Sequence, residues 1–366
     1  MSATLKIQLI SSLLSTRSHE VELISQGEVV ETGFKFYASS TEQELFHPDI
    51  RVFYASVLPV RRLNGVWSNR RLLGLFKTRH RERPFDLVII YNLKGAQISC
   101  ADYAIRRLGL PVVLEYEDDK FVNVQGQTVD SFSLRRGRRQ AKLLFEQLSG
   151  CVAVSPYLLA QVPSGIPSLL LRGVVGDDLI AAAGGWRGEK KNIVLFSGTH
   201  IESNGIAELI DGWREVGLRG WELHITGHGQ LTDALRQQAS HVGSITFHGL
   251  VSRTSLVSLL SSSKICINPH YVSRTPGNVF AFKIVEYLAA GAHVITTPMG
   301  ALESDLEAGI TYMPDNTPRT IAATLRRVVD AREYERTAAA AAQRAYGPAA
   351  VSDSLDALLN RVLHRQ

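Results

Sequence analysis

The sequence predicts an α/β protein made of two successive doubly wound domains, each a parallel sheet covered by helices. Three observations predict it. Short apolar runs bounded by turn residues alternate with helical spacings, which is the pattern of right-handed βαβ units. The alternation breaks at 174–190, a stretch mixing Gly, Ala and charge, and then restarts. A chain of 366 residues is also long enough for two domains, each with its own core.

Taken in order, residues 4–17 place Leu5, Leu9 and Leu13 at helical spacing, and HEVELIS (19–25) reads as a strand. RVFYASV (51–57) and DLVIIYN (86–92) are strands, with helices over 64–78 and 97–108. PVVLEYE (111–117), CVAVS (151–155) and SLLLRG (168–173) are strands, with a helix over 131–148. After the break come strands NIVLFSG (192–198), WELHITG (221–227) and ITFHG (245–249), with helices over 204–216, 229–240 and 252–263. Strands at 265–269 and 293–297 flank another helix, and helices near 317–329, 331–345 and 349–363 end the chain. The domains divide as 1–178 and 179–366, with 174–190 as linker.

Hydrophobic content of 45% and charged content of 20% describe a globular protein. No apolar run is long enough to span a membrane, and no signal peptide opens the sequence. Three scattered cysteines rule out a disulfide framework or a metal knuckle. Together these point to a cytoplasmic protein. Basic residues crowd 61–83 and 135–142 within a net charge of +5. That suits an anionic membrane surface at the inner face, a phosphate-bearing lipid, or a merely solubilising surface. Nucleic acid is not expected as a partner, because no aromatic-and-basic motif accompanies the charge.

The most informative stretch is ICINPHYVSRTPGNVFAFKIVEYLAAGAHVITTPMG, residues 265–300. Pro276-Gly277-Asn278 reads as a turn into a helix over about 278–290, with Asn278 as N-cap. Phe280, Ile284 and Leu288 recur every four residues and face the core. Lys283 and Glu286, three apart, share another face. Either a phosphate-bearing ligand meets them there, or they form a solvated surface pair. The stretch resembles the donor-binding signature of glycosyltransferase family 4, retaining sugar transferases with two Rossmann-like domains facing across a cleft (GT-B). In that family two glutamates stand eight positions apart. Glu286 matches the second, which holds the nucleotide ribose, and Asn278 stands at the first, which touches the donor sugar.

The resemblance implies roles elsewhere. Gly198, Thr199 and Asn204 occupy the loop that in the family binds the diphosphate through an Arg and a Lys, both absent here. Arg274 and Lys283 are the remaining cations nearby. Val251 ends the segment His248–Val251, which matches one that contacts the nucleotide base, and Gly227, in the tight strand-to-helix turn Gly227-x-Gly229, is a further candidate for substrate binding. In the first domain, Glu115-Tyr116-Glu117-Asp118-Asp119 ends a strand, where ligands of open α/β sheets sit. A metal site, acceptor or sugar contact through Glu117 and Asp118, and a charged loop compete for that cluster. The second Rossmann-like unit argues against the metal. Asn92 is a weaker contact of the same kind, and Ser155 reads as a helix cap.

The expected activity is metal-independent, retaining transfer from a nucleotide diphosphate-sugar, with no other cofactor, to a saccharide or lipid-linked acceptor in polysaccharide or glycolipid synthesis. A non-catalytic GT-B relic acting as a binding subunit, and a GT-B epimerase, are the alternatives. One further expectation concerns the start. Family domains open with a strand and a glycine-rich loop, whereas residues 4–17 contain no glycine and read as helix. The first domain is therefore expected to lack its first strand, through a misplaced start or a shortened gene.

Overall fold

The computed structural model describes residues 3–26, 36–43, 50–57, 64–93, 95–119, 132–186, 188–272, 280–300 and 302–364. By internal contacts the chain forms two units: residues 6–171 with 351–366, and residues 172–350 with the first five.

The first unit opens with α1 (Ala3–Thr16), helical as its leucine spacing predicts. Strands β1 (Glu22–Ser25), β2 (Ser40–Gln43) and β3 (Arg51–Tyr54) make a small sheet of order β1-β3-β2. β1 runs parallel to β3, while β2, which no sequence pattern marked, is antiparallel. Helix α2 (Asn64–Glu82) leads to β4 (Val88–Tyr91), α3 (Gly95–Tyr103), β5 (Val112–Tyr116), α4 (Phe132–Phe145), β6 (Gly150–Ala153), α5 (Pro156–Leu159) and β7 (Ser168–Leu170). These strands form a second, wholly parallel sheet of order β4-β5-β6-β7. β1 and β4 are thus edges of separate sheets among the described residues, and Ile89 in β4 is 40% exposed. Ser155 caps α5 by accepting a bond from Leu158 N.

Part of the arginine-rich segment is engaged within the unit. Arg79 forks onto Glu22 and lies over the Phe53 ring, Arg83 pairs with Glu20, and Arg71 bonds Ser56. No described helix is long and apolar enough to cross a membrane.

The second unit begins inside the expected linker. Residues 177–185 form helix α6 (Asp177–Gly185), with two acidic residues in its first turn and Leu179 fully buried. There follow β8 (Lys191–Ser197), α7 (Ile206–Val216), β9 (Glu222–Thr226), α8 (Thr232–Ala239), β10 (Ile245–Gly249), α9 (Arg253–Ser262) and β11 (Ser263–Asn268). Then come α10 (Lys283–Ala289), β12 (His293–Thr296), α11 (Ser304–Glu307), β13 (Ile310–Tyr312), α12 (Pro318–Asp330) and α13 (Ala339–Tyr346). The sheet is parallel throughout, of order β10-β9-β8-β11-β12-β13. Val194, Phe196, Leu223, Ile225, Ile265 and Ile267 build its core against Leu209, Trp213 and Leu325. Strand order reverses between β8 and β11, so ligands are expected beyond the carboxyl ends of those strands.

Two expectations are corrected here. The helix expected over 278–290 begins at Lys283; Phe280 is buried but precedes it, and 273–279, with Arg274 and Asn278, lies outside the described residues. The helix expected over 331–345 is interrupted, because Arg332 adopts a left-handed backbone (φ 51°). The last helix, α14 (Pro348–Leu363), joins the first unit. Val362 packs over Gly150, where an added Cβ would lie 2.8 Å from it, and Asp353 and Asp356 pair with Arg17 and His19.

Candidate functional site

Three loops meet beyond β8, β9 and β10. Gly198 N donates to Thr226 O (3.2 Å), Gly227 N to Gly249 O (2.8 Å) and His200 N to His228 O (3.1 Å). Gly227 has φ +117°, and a Cβ there would stand 1.9 Å from Gly198 O, so only glycine allows this closure. Thr199 is exposed. The Asn204 amide donates to Thr199 O at 2.7 Å, so it closes the loop on itself. Val251 is half-buried beside Leu250, which is 81% exposed.

Helix α10 supplies the charged groups. Tyr287 anchors it: its hydroxyl accepts from Ser197 N (2.9 Å) and donates to Ser197 O (3.2 Å). Glu286 is 4% exposed and accepts from Arg253 Nη1 at 2.6 Å. Arg253 also forks onto Asp178, with Nε 2.7 Å and Nη2 3.1 Å from the two carboxylate oxygens. Burial raises the pKa of Glu286 and the Arg253 charge opposes that rise. Asp178 feels desolvation too, but its bonds to Arg253 hold it below the usual carboxylate range. The reading of Lys283 and Glu286 as a solvated surface pair is therefore overturned: burial removes Glu286 from water, and its partner is Arg253.

Lys283 is built differently. Its residue is half-buried, yet Nζ is shut off from solvent and has no hydrogen-bond partner among the described residues. Nζ lies 4.5 Å from the Phe196 ring centroid and 2.9 Å from where a Cβ on Gly198 would sit. Desolvation lowers its pKa to about 7.

A second charged cluster lies in the first unit, at the carboxyl ends of β4 and β5. Asn92 holds a left-handed backbone (φ 56°), and its Oδ1 accepts from Glu117 N (2.8 Å) and Asp118 N (3.1 Å). Lys6, on α1, buries its ammonium 2.7 Å from Glu115 Oε1, also bonds Glu117, and donates to Leu171 O at 3.2 Å. Burial and the Glu115 charge push Glu117 up to about 8, against the pull of Lys6. Among the described residues, no group of three or more His, Cys, Asp and Glu is placed to hold a metal ion.

The predicted residues thus fall into two groups: Asn92, Glu117 and Asp118 in the first unit, and Gly198, Thr199, Asn204, Gly227, Val251, Lys283 and Glu286 in the second. Arg253, Asp178 and Lys6 went unnoticed in the sequence. For Lys6 the available signal was one lysine among the apolar positions of a helix; for Arg253 and Asp178 the sequence carries none.

Residues 191–331 match the family described as glycosyl transferases group 1, which spans β8 to α12. The fold is similar to that of sucrose-phosphate synthase from Thermosynechococcus elongatus, at 15% identity over 100% of this chain and 94% of that one (TM-score 0.76). It is also similar to α,α-trehalose-phosphate synthase from Burkholderia xenovorans in complex with glucose-6-phosphate (14%, 99% and 96%, TM-score 0.69). A third is Anabaena HepE in complex with UDP (16%, 87% of each chain, TM-score 0.63). These likenesses define the fold as that of the GT-B glycosyltransferases. No curated protein matches the sequence.

Proposed function

We propose that the protein transfers a sugar from a nucleotide diphosphate-sugar to a saccharide or lipid-linked acceptor, as a retaining, metal-independent glycosyltransferase of family 4. The observation that carries this reading is Glu286, a buried carboxylate clamped by Arg253 near the strand-order reversal, inside the segment that matches the family. The UDP and UDP-glucose complexes of Anabaena HepE support a nucleotide-sugar donor. In this reading Glu286 takes the ribose hydroxyls, Gly227 and Val251 line the nucleotide, and the 198–204 loop faces the diphosphate. Arg274 and Asn278 are assigned to the diphosphate and the donor sugar. Fixed donors would stabilise the charge that develops on the leaving diphosphate without reorganising during the reaction. In the first unit, Asn92, Glu117 and Asp118 are assigned to the acceptor. With its pKa near 8, Glu117 exchanges a proton readily at neutral pH.

Glu286→Gln keeps the volume and can still accept from Arg253, but gives up the charge-assisted bond to the ribose. Donor affinity should fall about ten- to a hundredfold, from a loss of about 1.5–3 kcal/mol, with the circular dichroism spectrum unchanged. Unaltered affinity would remove Glu286 from the site. One observation favours a second reading, a non-catalytic binding subunit: Asn204 is engaged on Thr199 O, and neither place carries a cation. Release of nucleoside diphosphate from any of a panel of nucleotide-sugars would exclude that second reading.

A further inference from the structure

We propose that Lys283 is a cation that receives the donor's diphosphate and that it takes up its proton together with that ligand. The inference rests on the donor-site reading above and adds proton linkage to it.

The geometry carries it. A lysine at a protein surface ordinarily buries its stem and keeps its ammonium in water. Lys283 does the reverse, with its stem half-exposed and Nζ turned inward and unpartnered among the described residues. A buried donor left unpaired is costly, and such groups are rare outside sites that use them. Nζ rests over the face of Gly198, in space a side chain there would fill, next to the loop where the sequence lacks both expected cations. The amine therefore approaches the loop from α10, replacing from behind the charge the loop does not carry.

The groups around it favour the neutral amine, which predominates above about pH 7. Phe196 presents a ring, and the Tyr287 hydroxyl is engaged on Ser197. His270, whose own pKa is lowered by burial, is a nearby titratable group after β11. Glu286 and Asp178, both bound to Arg253, do not reach Nζ, which has no hydrogen-bond partner among the described residues. None of these groups brings a negative charge to the amine itself. A diphosphate does, and an opposite charge within a few ångströms restores the ammonium. Donor affinity should then fall about tenfold per pH unit above pH 7, since each unit makes the charged amine tenfold scarcer.

Calorimetric titration of the full chain with UDP, ADP, GDP and dTDP at pH 8, in two buffers of different ionisation enthalpy, tests this. The expected result is uptake of close to one proton per bound nucleotide. Lys283→Arg, which is always charged, should keep binding but lose the uptake, and Lys283→Met should weaken binding about tenfold or more. Binding without proton uptake, or with uptake unchanged in Lys283→Arg, overturns the inference and leaves the donor site standing. If none of the four nucleotides binds at any pH, the donor-site reading itself fails.

Discussion

Lys6→Met should destabilise the first unit by about 3–5 kcal/mol near pH 8, the largest effect expected of any substitution considered. Lys6 is 1% exposed and stands between Glu115 and Glu117, both themselves shielded from solvent. Methionine fills the space but leaves two carboxylates buried together without a cation. Glu117 binds its proton up to about pH 8 in the folded protein but only to about 4.5 when unfolded. Between those values the native state holds more protons, so stability rises as pH falls from 8 towards 5. In Lys6→Met the Glu117 carboxyl loses the opposing pull of the ammonium and is driven further upward, so the deficit should be widest at pH 8 and shrink on acidification. Denaturant titrations at pH 5 and pH 8 measure both numbers. A deficit independent of pH would mean that Lys6 acts through packing alone.

Lys283→Met should do the opposite and make the ligand-free protein more stable, by about 2–5 kcal/mol at pH 7 or below. Folded Lys283 gives up its proton above about pH 7, whereas the unfolded chain keeps it to about 10.5. The unfolded state therefore binds more protons in that window, and wild-type stability rises with pH through it. The advantage of methionine should accordingly fade as pH climbs towards 10.5. At about 2–4 °C per kcal/mol for a unit of this size, thermal melts at pH 6.5 and 9.5 resolve the change. A variant more stable when empty and weaker for nucleotide would show that Lys283 is kept for binding at a cost to the fold. A destabilised variant would show instead that the amine has a structural partner.

Much of the second unit was legible because its inner strands β8, β9, β11 and β12 are largely buried. Short apolar runs such as ICIN and HVIT, separated by helical spacings, leave few alternatives to a doubly wound sheet. Legibility failed where tertiary contacts decide. Helix α6 hides in a stretch of Gly, Ala and charge, and is tied down by Asp178 reaching Arg253, 75 residues away. The spacing of Phe280, Ile284 and Leu288 fits a helix, but spacing alone cannot say that Phe280 is buried ahead of it. Glu286 was identified by resemblance and Lys283 by its neighbourhood. That one is clamped by an arginine and the other left alone follows from packing that neither local spacing nor composition encodes. In the first unit the carboxylates at the end of β5 were visible, whereas Lys6, 111 residues from Glu117, was not.

A thermal melt of the full chain against a panel of common nucleoside diphosphates tests whether residues 172–350 bind a nucleotide diphosphate. A nucleotide present at about a hundred times its dissociation constant should stabilise the protein by about 2.7 kcal/mol. A saturable rise in melting temperature is expected with at least one of them, reduced in Glu286→Gln. Melts that stay unmoved by every nucleoside diphosphate at millimolar concentration would contradict it.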